Sequence, residues 1–214
     1  VDRYRPRLKV VYEEHPSQGR IGAARNRSVE ISGGEYLFFL DDDTRILQRD
    51  FLSRMIALFK EQRPDVLIPK GAALFGRVRE RYDYLEPFSF GAAGCAYQRA
   101  AFLSVNGFHQ DLVSYEDIDL AIRMAMVNVS VLKTEELVFY HPPFYFHSVN
   151  KAIAMGQSVL KLRKYYPLPV WIFIYLNALR FLPFVLSPRR HHRQFALISV
   201  GVLLAPFYRT KLYQ

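Results

Sequence analysis

The chain has a single cysteine, Cys95. That excludes an internal disulfide and any metal site built on cysteines, and it fits a reducing compartment. The opening VDRYRPRLKV lacks the apolar centre of a signal peptide and reads as a start inside a domain. No internal repeat or low-complexity tract occurs. A net charge of +9 favours anionic partners, but no zinc-finger or RNP signature accompanies it, so no nucleic acid is expected. Phosphorylated ligands and an acidic membrane surface remain. Within 214 residues, 50% apolar and 15% aromatic, there is enough to bury one real core.

The stretch that organises the rest is Glu35–Thr44, EYLFFLDDDT. The run Tyr36–Leu40 reads as a buried strand. It ends in Asp41, Asp42 and Asp43, whose ionised carboxylates cannot share that burial without partners. The strand therefore delivers three acids to a polar edge, and strand carboxyl ends are where open α/β sheets bind ligands. Adjacent carboxylates repel, which suggests a hard cation such as Mn2+ or Mg2+ between them. The alternative is an acidic turn in which Asp43 or Thr44 caps the next segment.

Leu8–Tyr12 is a short strand candidate, and a helix fits Ile21–Ile31, closed by Gly33-Gly34. With Glu35–Leu40 these form a parallel strand–helix–strand unit. Phe51–Phe59 has a helical apolar face stopped by Pro64, and Asp65–Pro69 is another strand candidate. Phe90–Val105 holds small residues and then a short helical pattern. Asn106-Gly107 marks a turn, a helix opens at Ser114–Asp117, and Val129–Leu132 and Leu137–Tyr140 read as the final strands. A further helix fits Ser148–Lys164.

Asp117 sits three residues after Ser114, where a capping box would place an acid. Only one acid is needed for that box, yet Glu116 and Asp119 flank it. The surplus leaves room for a general base at a helix N-terminus. Asp119 and Arg123 read as an ordinary i,i+4 pair. Arg25 and Asn26 are either solvated helix residues or contacts to a nucleotide. His141 and His147 flank a Pro-rich loop, and either imidazole would complete a metal shell or touch a diphosphate.

Taken together, GRIGAARNRSVEISGGEYLFFLDDDT (Gly19–Thr44), the Gly-rich segment and Asn106-Gly107-Phe108 turn, SYEDIDLAIR, and a downstream histidine before a Gly-containing helix resemble the family 2 glycosyltransferases. The resemblance spans about Leu8 to Pro167. It implies an α/β GT-A fold: a Rossmann-like, mostly parallel sheet flanked by helices, followed by apolar helices. It further implies inverting transfer of a single sugar from a nucleotide-sugar donor with Mn2+ or Mg2+. Asp43, Asp41 and His147 would hold the metal. Arg25, Asn26, Asp41 and Asp42 would meet the donor. Asp117 would be the base, supported by Glu116, and Gly94 and Cys95 would line the acceptor pocket. The family's opening base-binding segment is not matched here, and neither is the QxxRW-type motif of polymer-making members. The expected division is a catalytic domain at 1–166 and a membrane-associated helical region at 167–214.

Leu168–Leu186 approaches the about 20 apolar residues needed to cross a bilayer. Pro169, Asn177, Arg180 and Pro183 interrupt it. A span would also carry PRRHHR to the far side, against the positive-inside rule. The preferred reading lays these helices in the cytoplasmic interface of the cell membrane, anchored by Trp171 and Tyr175. A transmembrane hairpin and a packed helix pair are the alternatives. A lipid-linked or glycan acceptor fits such a location. A non-catalytic module that binds a nucleotide-sugar or an anionic membrane is the rival function.

Overall fold

The aromatic run after Glu35 forms strand β1 (Tyr36–Phe38) in the computed structural model, which describes residues 8–17, 19–73, 94–141 and 148–208. Its partners are β2 (Arg45–Ile46), β3 (Val66–Ala73), β4 (Ala96–Gln98) and β5 (Val131–His141). They make one sheet in the order β1-β4-β3-β5-β2. The α/β class is as expected, but the sense of pairing is not. Among the described residues only β3 and β5 run parallel, and the other three pairings are antiparallel. Leu8–Tyr12 forms no strand, so the parallel unit lacks its first member. β4 instead inserts antiparallel between β1 and β3, a pairing prolonged by Phe39 N–H to Cys95 O (3.2 Å) and Gly94 N–H to Phe39 O (2.9 Å). Gly94 has φ +76°, and a Cβ there would lie 2.5 Å from the Phe139 ring.

The two strands expected at the end of the domain are one, β5, with an irregularity. Pro69 opposes Thr134 but Lys70 opposes Val138, so Glu135–Leu137 loop out. Gln48 bridges the gap, donating to Glu136 O (2.8 Å) and accepting from Val138 N–H (2.7 Å). The irregularity sets the far end of β5 against β2, with Tyr140 opposite Arg45. His141 thereby arrives beside the Asp41–Asp43 turn.

Helices α1 (Ile21–Ile31), α2 (Phe51–Gln62), α3 (Arg99–Ser104) and α4 (Glu116–Met126) flank the sheet. α2 buries Phe51, Met55, Leu58 and Phe59 at helical spacing against Leu67, Ala96 and Leu137. The other sheet face carries Leu37, Phe39, Tyr97, Phe102, Phe108, Leu120 and Met124. Each fully buried Leu or Phe contributes about 1.5–3 kcal/mol. The C-terminal end of α1 is closed by Arg99. Its guanidinium donates to Val29 O (2.9 Å), Ser32 O (3.0 Å) and Gly34 O (2.6 Å), satisfying carbonyls that a helix end leaves open.

The C-terminal unit comprises α5 (Val149–Lys161), α6 (Leu168–Leu179) and α7 (Arg190–Leu204). Ser148 caps α5, its hydroxyl accepting from Lys151 N–H at 3.3 Å. α5 and α7 meet backbone to backbone: a Cβ on Gly201 would lie 2.0 Å from Ala152 O, and one on Gly156 2.3 Å from Gly201 O. Their shared core reaches back to Leu112 and Tyr115, which ties this unit to the segment preceding α4.

Candidate active site

The polar edge is built from three parts of the chain: the turn after β1, the end of β5 and the start of α4. Around the first two, His141 Nε2 lies 3.2 Å from Asp43 Oδ1 and 3.7 Å from Asp41 Oδ2. One donor atom from each of Asp41, Asp43 and His141 falls within 4.8 Å of the other two. Two hard carboxylate oxygens and one imidazole nitrogen suit a divalent cation of the Mn2+ or Mg2+ class. Asp42, between them, is exposed and outside this cluster.

Arg25 joins this edge to α4. Its Nη2 donates to Asp41 Oδ1 at 2.7 Å, and its Nη1 donates to Glu116 Oε1 at 3.0 Å. It also lies over the Phe108 ring, 5.6 Å from the centroid. The His141 imidazole first, and Arg25 next, hold the Asp41 carboxyl below its usual range against the opposing effect of burial. On α4 the balance reverses. Burial, and then the neighbouring Asp117 charge, push Glu116 up to about 7. Burial also raises Asp117, although Ile118 N–H donates to its Oδ1 at 2.8 Å. The two acid groups, distant along the chain, therefore meet around one guanidinium.

The capping box does not form. α4 begins at Glu116, with Tyr115 at φ +66° as the preceding residue and no side-chain cap, so Ser114 is one position too early. Asn26 lies beside Arg25, but its amide is occupied at both ends. It donates to Phe108 O (2.8 Å) and accepts from Phe108 N–H (2.9 Å). That bond pair fixes the Asn106-Gly107 turn. Gly107 has φ +63°, and a Cβ on it would lie 2.7 Å from Asn26 Oδ1. Asn26 thus holds the loop that carries Phe108. Gly94 and Cys95 are buried, Cys95 at 2% exposure. Burial, with the Asp117 charge next, pushes the Cys95 thiol up to about 12. His147 lies outside the described residues.

Sequence alone leaves both histidines open, and the family resemblance points to His147 as the ligand. The signal that brings in His141 is the Arg45–Tyr140 strand pairing, which no local pattern announces. The depth of Asp119 is also hidden from the sequence. This carboxylate is 0% exposed and accepts from Arg123 Nη2 (2.6 Å), Arg123 Nε (3.0 Å) and the Tyr166 hydroxyl (2.7 Å).

The profile of the family described as glycosyl transferase family 2 matches residues 1–124. No curated protein matches in sequence. Among solved structures, S. aureus TarS 1–349 gives a TM-score of 0.59 at 16% identity, covering 95% of this chain and 66% of that one. S. aureus TarS 1–349 in complex with UDP gives 0.54 at 15% identity, over 97% and 78%. The mannosyltransferase PcManGT from Pyrobaculum calidifontis, in complex with GDP-Man and Mn2+, gives 0.50 at 13% identity, over 86% and 65%. The chain spans 66% of the TarS 1–349 chain and 35% of a longer TarS chain. At such identities the likeness is one of fold, the GT-A arrangement of sheet and flanking helices. The profile match covers more than half of the sequence and ends inside α4, just past the acids that Arg25 joins to Asp41: the chain belongs to glycosyl transferase family 2.

Proposed function

We propose that the chain transfers a single sugar, with inversion, from a nucleoside diphosphate donor to a hydroxyl on a lipid-linked or glycan acceptor. The observation that carries this reading is the convergence of Asp41, Asp43 and His141 with Glu116 and Asp117 around Arg25. UDP in one structural neighbour and GDP-Man with Mn2+ in another support a diphosphate donor and a divalent cation.

Asp43, Asp41 and His141 would hold the cation. When bound, it would supply positive charge to the departing diphosphate. Arg25, anchored between two carboxylates, provides fixed positive charge at the same edge, and exposed Asp42 would meet the donor. The acceptor hydroxyl attacks the anomeric carbon as the bond to the diphosphate breaks, and Asp117 takes its proton. Asp117 has Oδ1 held by Ile118 N–H, which leaves Oδ2 to accept. Its raised affinity for a proton makes it a stronger base than an ordinary aspartate. Glu116, salt-bridged to Arg25, supports it.

The location we propose is the cytoplasmic face of the cell membrane. Of the 29 Lys and Arg, ten lie after Glu136, and none of the 20 Asp and Glu does. That same region exposes Leu168, Ile172, Phe173, Leu176, Leu182 and Leu186, the last at 91%. Apolar side chains beside positive charge without acids suit an anionic bilayer. Leu168–Leu186 is the stretch, among the described residues, long and apolar enough to cross one. It is divided, however, into the 12-residue α6 and a 3-10 turn at Leu182–Leu186. A helix of 12 residues reaches only about 18 Å, short of the about 30 Å hydrocarbon core. This favours helices lying in the interface.

The test is nucleoside diphosphate release from UDP-, GDP- and dTDP-sugars with Mn2+ or Mg2+, run beside Asp43→Ala and Asp117→Asn. Release that both variants lose supports the roles. Release that neither variant diminishes overturns them. Metal-dependent nucleotide binding without release would mark a binding module.

A further inference from the structure

The turn that carries Glu116 and Asp117 is held by Arg25, His109 and Arg123 within the family match, and also by residues beyond it. Tyr115, at φ +66°, occupies backbone space that a bulky residue rarely visits, so its surroundings must impose it. Part of those surroundings comes from the C-terminal unit. Ser158 Oγ accepts from Ser114 N–H at 3.2 Å. Lys161 Nζ donates to Asp111 O and lies 2.8 Å from Asp111 Oδ2. The Tyr165 hydroxyl donates to Asp111 Oδ2 at 2.5 Å, and its ring stacks on His109 at 4.1 Å. The Tyr166 hydroxyl donates to Asp119 Oδ1 at 2.7 Å and reaches Asp119 O at 3.2 Å. All four grips lie between Ser158 and Tyr166, beyond residue 124 where the family match ends.

Asp119 is the hinge of this arrangement. It follows Asp117 by two residues on the first turn of α4, and its N–H donates to Tyr115 O at 2.9 Å. Burial alone would raise its carboxyl. His109, with Nδ1 3.0 Å from Oδ2, then Arg123 and Tyr166 outweigh burial and hold it below the usual range. A buried anion with fixed donors has little freedom to shift, and the backbone on either side shares that rigidity.

We infer that Tyr166 is a positioning residue for the Glu116–Asp117 turn, acting through buried Asp119, so that the C-terminal helices set the aim of the base. The inference rests on the sugar-transfer reading only in its kinetic arm. Tyr166→Phe removes one hydroxyl and leaves the ring in its apolar cluster. The loss of a hydrogen bond to a charged acceptor is expected to speed amide hydrogen exchange at Glu116–Asp119 about tenfold, with α2 unchanged. In the release assay kcat should fall about tenfold while the KM for donor and the affinity for Mn2+ stay constant. Ile174→Ala, in the same cluster without a bond to Asp119, serves as the control for lost stability. If Tyr166→Phe leaves exchange at Glu116–Asp119 unchanged, or if Ile174→Ala at equal loss of melting temperature lowers kcat as much, the inference is wrong. Absence of release with every donor would count against the sugar-transfer reading alone, because the exchange arm decides the clamp without it.

Discussion

Between Glu35 and Glu136 the chain gathers acids, and several are buried; after Glu136 it has none. The two regions solve opposite problems. The sheet edge must keep carboxylates together, and it does so with Arg25, Arg123 and two histidines set among them. The helical unit keeps like charge on its outside and packs small residues face to face, Ala152 and Gly156 against Gly201. The contrast separates chemistry from placement. Acids with shifted proton affinities sit where a reaction is proposed. The region without acids supplies the grips on Asp111 and Asp119 and an apolar outer face.

The sharpest way to break this division is to remove the proposed base. Asp117→Asn keeps size and shape while losing the proton acceptor. Turnover should fall roughly 100- to 10,000-fold, the range for a general base, with Mn2+ affinity unchanged. Asp43→Ala should do the reverse at the other end of the site, weakening Mn2+ binding by about tenfold or more, read by calorimetry in the presence of UDP or GDP. Equal effects of both variants on metal affinity would mean that the two acid groups do not have separate roles.

Much of the acid region is legible in the sequence. α1 has the bounds that its pattern indicates, and EYLFFLDDDT delivers its acids to the sheet edge because a continuous apolar run cannot continue through three carboxylates. Legibility fails where long-range pairing decides. The antiparallel insertion of β4 and the looped-out Glu135–Leu137, bridged by Gln48, have no local signature. They nonetheless determine that His141 meets Asp43. Asp119 and Arg123 are readable as a pair four apart, but spacing alone does not distinguish a solvated pair from one sealed under Tyr166. Asn26 shows the same limit: the motif marks its position, while the turn it secures lies 82 residues away.

The outer face of the helical unit gives the next prediction. Phe173 and Leu176 are both 59% exposed on α6. Phe173→Asp with Leu176→Asp should weaken sedimentation with vesicles of phosphatidylglycerol and phosphatidylcholine on the order of 100-fold, from the lost burial of two large side chains. Raising salt should weaken wild-type binding only several-fold, by screening the positive charges. Release of nucleoside diphosphate in free solution should be unaffected. Vesicle binding that survives the double substitution would remove α6 from the docking surface.

The smallest effect tests the electrostatics of the acid region. Glu116 is pushed up to about 7 from an ordinary 4.5, by burial first and the Asp117 charge next, with Arg25 pulling the other way. Asp41 faces it through Arg25. A carboxyl whose folded value lies above its unfolded one binds more protons in the folded chain between the two values. Stability therefore falls as pH rises from about 4.5 to about 7. Asp41, Asp111 and Asp119 are shifted downward, so their contributions fade only at lower pH, outside this window. Asp117 shifts upward and adds to the same slope. In Glu116→Gln the drop in melting temperature between about pH 5 and 7.5 should shrink by a few °C, at about 2–4 °C per kcal/mol for a chain of this size. An unchanged slope in the variant would mean that Glu116 is ionised across the whole window, and that Arg25 outweighs its burial.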